Sequence, residues 1–431
     1  MDNKRKLAVD LLIRAESEES YINIALSGTL DRAAPSDRAF INRLVNGVVE
    51  RRITLDYYIA TMAKRSVSEI DAPVLAILRT ALFQLAYMQG EPDYAVVNES
   101  VALCKNRGER GFVNALLRRF LRERDTLSLP LREKNAVRHI SVKYSFPPEL
   151  CRFFIDNFGE ERCERFFEHF NSVSPLTLRV NTLKTTASQL VSNIDGAEVS
   201  ALCDTALIIP GGAVVRELYG YNEGLFYVQD VSSQIAVKAL GATEGARVID
   251  VCAAPVGKSI GLAIEMKNRG EVFSFDLHKS KLSLIESNAK RLGIDIISVA
   301  ERDATILPDG DMAESFDFVM CDVPCSGLGV LGKKADMRYR HTDSVLTLPP
   351  LQYSILSASC RYLKKGGAMI YSTCTVNPDE NERIVERFLS ENPDFELSPF
   401  ETDGEICKGM YTFLPGEKGT DGFFIARIVR K

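Results

Sequence analysis

No run of apolar residues in this 431-residue chain approaches the ~18 that a membrane-crossing helix needs, so a helical membrane protein is excluded. No Cys-x-x-Cys occurs, and the four histidines, His139, His169, His278 and His341, are not spaced as partners. A zinc site is therefore not expected. The ten cysteines are scattered (Cys104, Cys151, Cys163, Cys203, Cys252, Cys321, Cys325, Cys360, Cys374, Cys407). They do not form a disulfide framework, and most read as small core residues in a reducing compartment. The opening stretch MDNKRKLAVDLLIRAE has no apolar signal core or cleavage site, so a cytoplasmic location is expected. Internal repeats and low-complexity tracts are lacking too. A net charge of −5 does not announce a nucleic-acid binder.

What is present is an ordinary globular composition, 45% apolar, in a chain long enough for two or three domains. Residues 1–142 carry apolar residues at three- and four-residue spacing, as in DRAFINRLVNGVVERR and GFVNALLRRFLRER, with no strand signal. An all-helical bundle is expected there. Residues 143–230 mix a helical stretch, CRFFIDNFGEERCERFFEHFN, with short strand patterns, LTLRVNT, ALIIPG and GLFYVQD, and read as a small α+β linker domain. From 231 to 431 the strands ARVIDVCA, GEVFSFDL, ISVAERDA, FDFVMCDV and GAMIYST alternate with helices, and GFFIARIVRK reads as a late antiparallel strand. This is the pattern of a mostly parallel sheet covered by helices on both faces.

In such a sheet, ligands bind at the carboxyl ends of the strands. The first strand ends in DVCAAPVGKS, residues 250–259, an acid followed by a small-residue turn that opens a helix. That turn suits a carboxylate or phosphate at the helix N-terminus. Asp276 ends the second strand and suits the two hydroxyls of a ribose. Asp303, after the third, could contact an adenine amino group. Together they suggest an adenosine-containing ligand. Gly327, Gly329 and Gly332 spell GxGxxG, but after the fourth strand, with no acid at the required distance, so a dinucleotide site is not expected.

The fourth strand delivers Asp322, Pro324 and Cys325, and the fifth ends in YSTC at Cys374. The fourth strand is expected beside the first, with the fifth beyond it, so an acid and two thiols should converge beside the adenosine pocket. Cytosine carbon 5 is a poor nucleophile. A thiolate that adds to carbon 6 makes carbon 5 electron-rich enough to take the methyl group of S-adenosylmethionine. A carboxyl on the ring-nitrogen edge assists the addition, and a second thiol suits removal of the carbon 5 proton. Lys258 should lower a thiol pKa or hold the acid. Which thiol does which is left open by the residues themselves.

These residues carry a resemblance. DRAFINRLVNGVVERR and GFVNALLRR resemble a NusB-like helical domain. LRVNTLK, YVQDVSSQ, DVCAAPVGKS, DVPCSGLGV and YSTCTVNPDENE resemble the ribosomal RNA small-subunit methyltransferase B (Sun/Fmu) family of RNA cytosine-5 methyltransferases. The resemblance implies a NusB-like bundle, a small α+β domain and a Rossmann-like methyltransferase domain using S-adenosylmethionine. It implies that Cys374 is the nucleophile and Cys325 assists release. Asp322 would hold the cytosine edge and border the cofactor, with Lys258 beside it. Asp276 and Asp303 would bind ribose and adenine, and Cys252, Ala253, Ala254, Pro255, Val256, Gly257 and Lys258 would face the methionine part. The family turn reads APGGK; Val256 replaces a glycine, and a β-branched residue tolerates neither φ > 0 nor close ligand approach. Lowered cofactor affinity or a shifted turn is the expectation.

The stretch 105–143 holds eleven Lys/Arg against four Asp/Glu and reads as an RNA-phosphate face. The expected substrate is 16S ribosomal RNA before full subunit assembly, single-stranded or looped so that the cytosine can leave its stack. A monomer is expected, with no metal and no membrane partner. Transfer RNA, or DNA, is the alternative substrate. An RNA-binding protein with weakened cofactor binding, and a nucleotide-dependent oxidoreductase resting on GLGVLG, are the rival functions.

Overall fold

The computed structural model describes residues 3–17, 26, 28, 30, 33–254, 257–333, 335–339, 344–402 and 404–431. Within them the chain forms two compact units, Met1–Asn171 with Gly332–His341, and Ser172–Leu331 with Thr342–Lys431.

The first unit is helical, built on helices that include Pro35–Glu50, Arg52–Ala63, Ala72–Tyr87 and Arg107–Glu123. Ala72–Tyr87 is buried almost all round and is its central helix. The unit does not stop at 142. Helices Ala136–Tyr144, Pro148–Phe158 and Glu160–Asn171 belong to it, whereas the sequence pattern assigned residues 143–171 to the linker domain. The reason is an apolar face that the pattern shows without its partner. Phe146 stacks on Phe167 at 4.0 Å between ring centroids, and Phe154 meets Phe166 and Phe167 edge-on. Thr54 Oγ1 donates to Val142 O (2.6 Å) and Ile53 N to Ser145 Oγ (2.9 Å), tying this cluster to Arg52–Ala63. The segment 332–341 also joins the helical unit. Its fully buried Arg338 donates to Phe170 O (2.8 Å) and Asn171 Oδ1 (2.7 Å) and lies over the Phe146 ring.

The second unit holds two main sheets. The smaller is antiparallel, in the order β2-β3-β1-β4, from β1 Leu176–Val180, β2 Glu198–Ser200, β3 Cys203–Ile209 and β4 Phe226–Val228. It is joined to the rest by Arg179 on β1, fully buried, which donates to Glu265 Oε1 at 2.6 Å on the helix Gly257–Glu265. The linker strands and the large sheet therefore form one unit.

The large sheet contains β5 Arg247–Asp250, β6 Glu271–Asp276, β7 Ile297–Glu301, β8 Phe316–Asp322, β9 Leu363–Thr373, β10 Phe395–Leu397 and β14 Phe423–Arg430. Its order is β10-β14-β9-β8-β5-β6-β7, with β13 Met410–Phe413 paired to β14. A hairpin of β11 Phe400–Thr402 and β12 Glu405–Cys407 lies apart. From β7 to β9 the strands are parallel, while β14 runs antiparallel to β9. The continuous apolar runs follow, because strands covered by helices on both faces have no solvent side to alternate toward. The order reverses between β5 and β6 on one side and β8 on the other, the place where such sheets open a crevice at their carboxyl ends.

Candidate active site

Register fixes which side chains meet. On adjacent parallel strands Cys321 lies opposite Tyr371 and Asp322 opposite Ser372, and Val323 N extends the ladder to Ser372 O (3.1 Å). Asp322 Oδ1 accepts from Ser372 Oγ (2.7 Å), and Oδ2 from Lys258 Nζ (2.6 Å). Burial works to lower the Lys258 pKa, but the Asp322 carboxylate and its hydrogen bond outweigh it, and the net direction is up. Of the two roles expected for Lys258, the geometry gives it the second: it holds the acid.

Both strands run on for a few residues and their thiols meet. Cys325 Sγ lies 3.1 Å from Cys374 Sγ and accepts from Cys374 N at 3.3 Å. The hydrogen bond with Cys374, then burial, raise the Cys325 pKa well above an ordinary thiol's. Neither sulfur belongs to a sealed core: both residues are half-buried, whereas Cys321, on β8 four residues before Cys325, is fully buried and pushed by burial to about 12.

The glycines of GLGVLG serve packing. Gly329 N donates to Cys374 O (3.1 Å), and a Cβ at Gly329 would stand 2.1 Å from Gly422 O. Gly332 lies in the helical unit, where a Cβ would stand 3.0 Å from Phe170 O. No phosphate cradle is needed to account for them.

The adenosine-side residues are placed less uniformly. Asp276, buried at the tip of β6, accepts from Ala254 N (3.2 Å) and His278 N (2.9 Å), and so ties the strand tip to the turn after β5. Cys252 and Ala253 lie in that turn; burial drives the Cys252 thiol well above its usual pKa, and Ala253 N donates to Phe275 O (2.8 Å). Pro255 and Val256 lie outside the described residues. Asp303 turns back on its own loop, accepting from Thr305 N (2.9 Å) and Oγ1 (2.7 Å), bonds that hold its pKa down. No described contact brings it to the other candidates.

Residues that sequence reasoning did not single out complete the setting. Tyr227 OH donates to Gly257 O (3.1 Å), and the buried Gln229 Nε2 has no hydrogen-bond partner and stands 3.0 Å from where a Gly257 Cβ would be. Asp250, fully buried at the tip of β5, accepts from Ser259 Oγ (2.7 Å) while its other oxygen is unpartnered; burial raises its pKa to about 7. Glu380, fully buried, accepts from Ser326, Gln352 and Asn377 behind the two thiols. The YVQD and NPDENE stretches were the available signal for two of these. The donor set fits an adenosyl amino acid: a strand-tip carboxylate for a diol, and an orphan amide donor and a helix N-terminus for a carboxylate.

Among the described residues no group of three His, Cys, Asp or Glu could hold a metal ion, and no helix is long and apolar enough to cross a membrane.

On the helical unit, the basic stretch divides. Arg119, Arg124, Arg132 and Lys143 form ion pairs with Glu123, Asp93, Glu160 and Glu164. Lys105, Arg107, Arg110, Arg118, Arg122, Lys134 and Arg138 are exposed, and among the described residues they form no ion pair. Arg107, Arg110, Arg118 and Arg122 recur at helical spacing on Arg107–Glu123, and so form one stripe.

Comparison with known proteins agrees with this organisation. The family described as 16S rRNA methyltransferase RsmB/F matches residues 237–429, and the NusB family matches residues 2–122. A probable ribosomal RNA small subunit methyltransferase B of Synechocystis sp. is 34% identical over 448 residues, 99% of both chains. That of Bacillus subtilis is 34% identical over 451 residues, 99% of this chain and 98% of the relative. The crystal structure of PH0851 superposes with a TM-score of 0.80 at 25% identity, covering 100% of this chain and 99% of the other.

Proposed function

The chain belongs to the 16S rRNA methyltransferase RsmB/F family, and from that premise we propose that it methylates carbon 5 of a cytosine in 16S ribosomal RNA through a covalent cysteine–base intermediate. The observation that carries the reading is the meeting of two thiols 3.1 Å apart with a lysine-held carboxylate on the adjacent strand tips. Cys374 Sγ bonds to carbon 6 of the ring. Asp322 holds the ring-nitrogen edge by hydrogen bonding, and Lys258 and Ser372 keep its carboxylate aimed. Cys325, beside Cys374, assists release: the carbon 5 proton leaves to solvent as the bond from Cys374 to carbon 6 breaks and its electron pair returns to Cys374 Sγ. S-adenosylmethionine, when bound, supplies the electrophilic methyl group. Asp276 would hold its ribose, Asp303 its adenine, and the turn 252–258 with Gln229 its methionine part. The exposed arginine stripe on Arg107–Glu123 would lie along RNA phosphates. The protein would act as a cytoplasmic monomer on RNA not yet fully assembled.

The test is transfer of labelled methyl from S-adenosylmethionine to naked 16S rRNA. Cys374→Ala should abolish transfer. Cys325→Ala should accumulate enzyme covalently bound to RNA. Undiminished turnover in both variants would remove the mechanism, and transfer only to transfer RNA would remove the substrate.

A further inference from the structure

Behind the two thiols lies a polar cluster that the chemistry above does not use. Ser326, Gln352, Thr375, Asn377 and Glu380 are all buried, the last four to 0% exposure. Glu380 Oε2 accepts from Ser326 N (2.9 Å) and Gln352 Nε2 (2.8 Å). Its Oε1 accepts from Ser326 Oγ (2.5 Å) and Asn377 Nδ2 (3.1 Å). Gln352 Nε2 also donates to Pro324 O (2.9 Å), and Ser326 Oγ bonds Thr375 Oγ1 (2.9 Å). Among the described residues no cation stands within ion-pair distance of Glu380.

The bonds come from the two cysteine turns and from Gln352 on the helix Ser344–Ser359. Pro324 and Ser326 flank Cys325; Thr375 and Asn377 follow Cys374. One carboxylate thus gathers the turns that carry both sulfurs, 49 residues apart in sequence. Resting on the proposed reaction, we infer that Glu380 is a positioning residue: it clamps the two cysteine turns together and so sets the distance between their sulfurs. A buried carboxylate with no cation has to be satisfied by fixed donors, and these donors can satisfy it only while both turns keep their places. The neighbouring Asn381 repeats the device on the Cys374 side, accepting from Thr373 Oγ1 (2.6 Å) and donating to Thr375 O (3.0 Å). The negative charge acts also on Cys325, where it adds to the causes that raise the thiol.

Glu380→Gln preserves volume but turns an acceptor into an N–H donor facing other donors, so the turns should part. Adduct formation is read with 16S rRNA transcribed with 5-fluorocytidine, whose carbon 5 cannot shed its substituent, so the covalent complex persists. At saturating RNA, Glu380→Gln should slow adduct formation about 100-fold, the effect of roughly 1 Å of misplacement. S-adenosylmethionine affinity and KM for RNA should stay within about threefold of the parent. Glu380→Asp, which restores the acceptor, should recover part of the rate. If Glu380→Gln does not fold, Gln352→Ala removes one donor only and should slow the adduct about tenfold on the same readout. Parent-like adduct rates in the folded variants would overturn the clamp. So would a loss of cofactor affinity and melting temperature in proportion to the rate, since that is a merely structural role. Absence of any adduct or methyl transfer in the parent overturns instead the proposed reaction, which separates the two failures.

Discussion

Two carboxylates flank the thiol pair, and they settle their charge in different ways. Asp322 keeps 27% of its side chain exposed and faces a cation, Lys258. Glu380 has no exposure and faces amides, hydroxyls and a backbone N–H. A carboxylate held by two side chains, Lys258 and Ser372, at a partly exposed strand tip can accept a new partner, such as the edge of a base, without moving the backbone. One held by fixed donors cannot. The difference separates a group able to meet a substrate from one that shapes the place where substrate is met. A third acid, Asp250, has neither solution: one hydroxyl donor and one unpartnered oxygen. Burial then favours the proton, and its pKa rises to about 7.

The largest effect should come from breaking the exposed pair. Asp322→Asn keeps an oxygen for Ser372 but removes the charge that Lys258 holds and the carboxyl proposed to meet the ring edge. Single-turnover methyl transfer should fall about 1,000-fold, within the range of a general acid. A smaller change in KM would show that the loss lies in the chemical step; an unchanged rate would place the ring edge elsewhere.

Next in size is the acid that keeps its proton. Asp250 is raised from an ordinary value of ~3.9 to about 7, so the folded state binds the proton more tightly than the unfolded. That contribution to stability is complete below pH ~4 and is lost as pH rises through about 7. Asp250→Asn is neutral at every pH and should remove the slope. Between pH 5 and 8 the parent should lose about 3 kcal/mol that the variant does not, seen as a smaller shift in denaturation midpoint. Equal slopes in both proteins would mean that the Asp250 carboxyl is ionised throughout.

The same contrast explains what was legible in the sequence. Strand tips were, because alternating strand and helix patterns locate the ends of parallel strands. Asp276, Asp322, Cys325 and Cys374 all stand there, and β8 does lie next to β5 with β9 beyond it. Glu380 was not legible, because its donors come from Ser326 and Gln352, 54 and 28 residues away, and residue type alone does not say which side chains converge. Asp303 was legible as a strand-end acid but not as one bound to its own loop through Thr305. The helices of residues 143–171 were visible as helices, but the bonds from Ile53 and Thr54 that tie them to the helical unit come from about 90 residues away and are a property of packing. The excursion of residues 332–341 left no periodic signal at all.

The smallest expected effect tests the thiols themselves. Cys325 is raised by its hydrogen bond with Cys374 first, then by burial, so removing the partner should lower it while burial and Glu380 still keep it above an ordinary thiol. Alkylation by iodoacetamide follows the thiolate. The midpoint of its pH profile reports ionisation, whereas the plateau rate reports access, so the two can be separated. In Cys374→Ser, a hydroxyl that donates to the Cys325 thiolate replaces a thiol that competes with it for the proton. The Cys325 midpoint should therefore move down in pH, and the rate at pH 8 should rise a few-fold relative to the plateau. A midpoint that stays put would mean that burial alone holds Cys325 up, and that the two sulfurs, though close, do not share a proton.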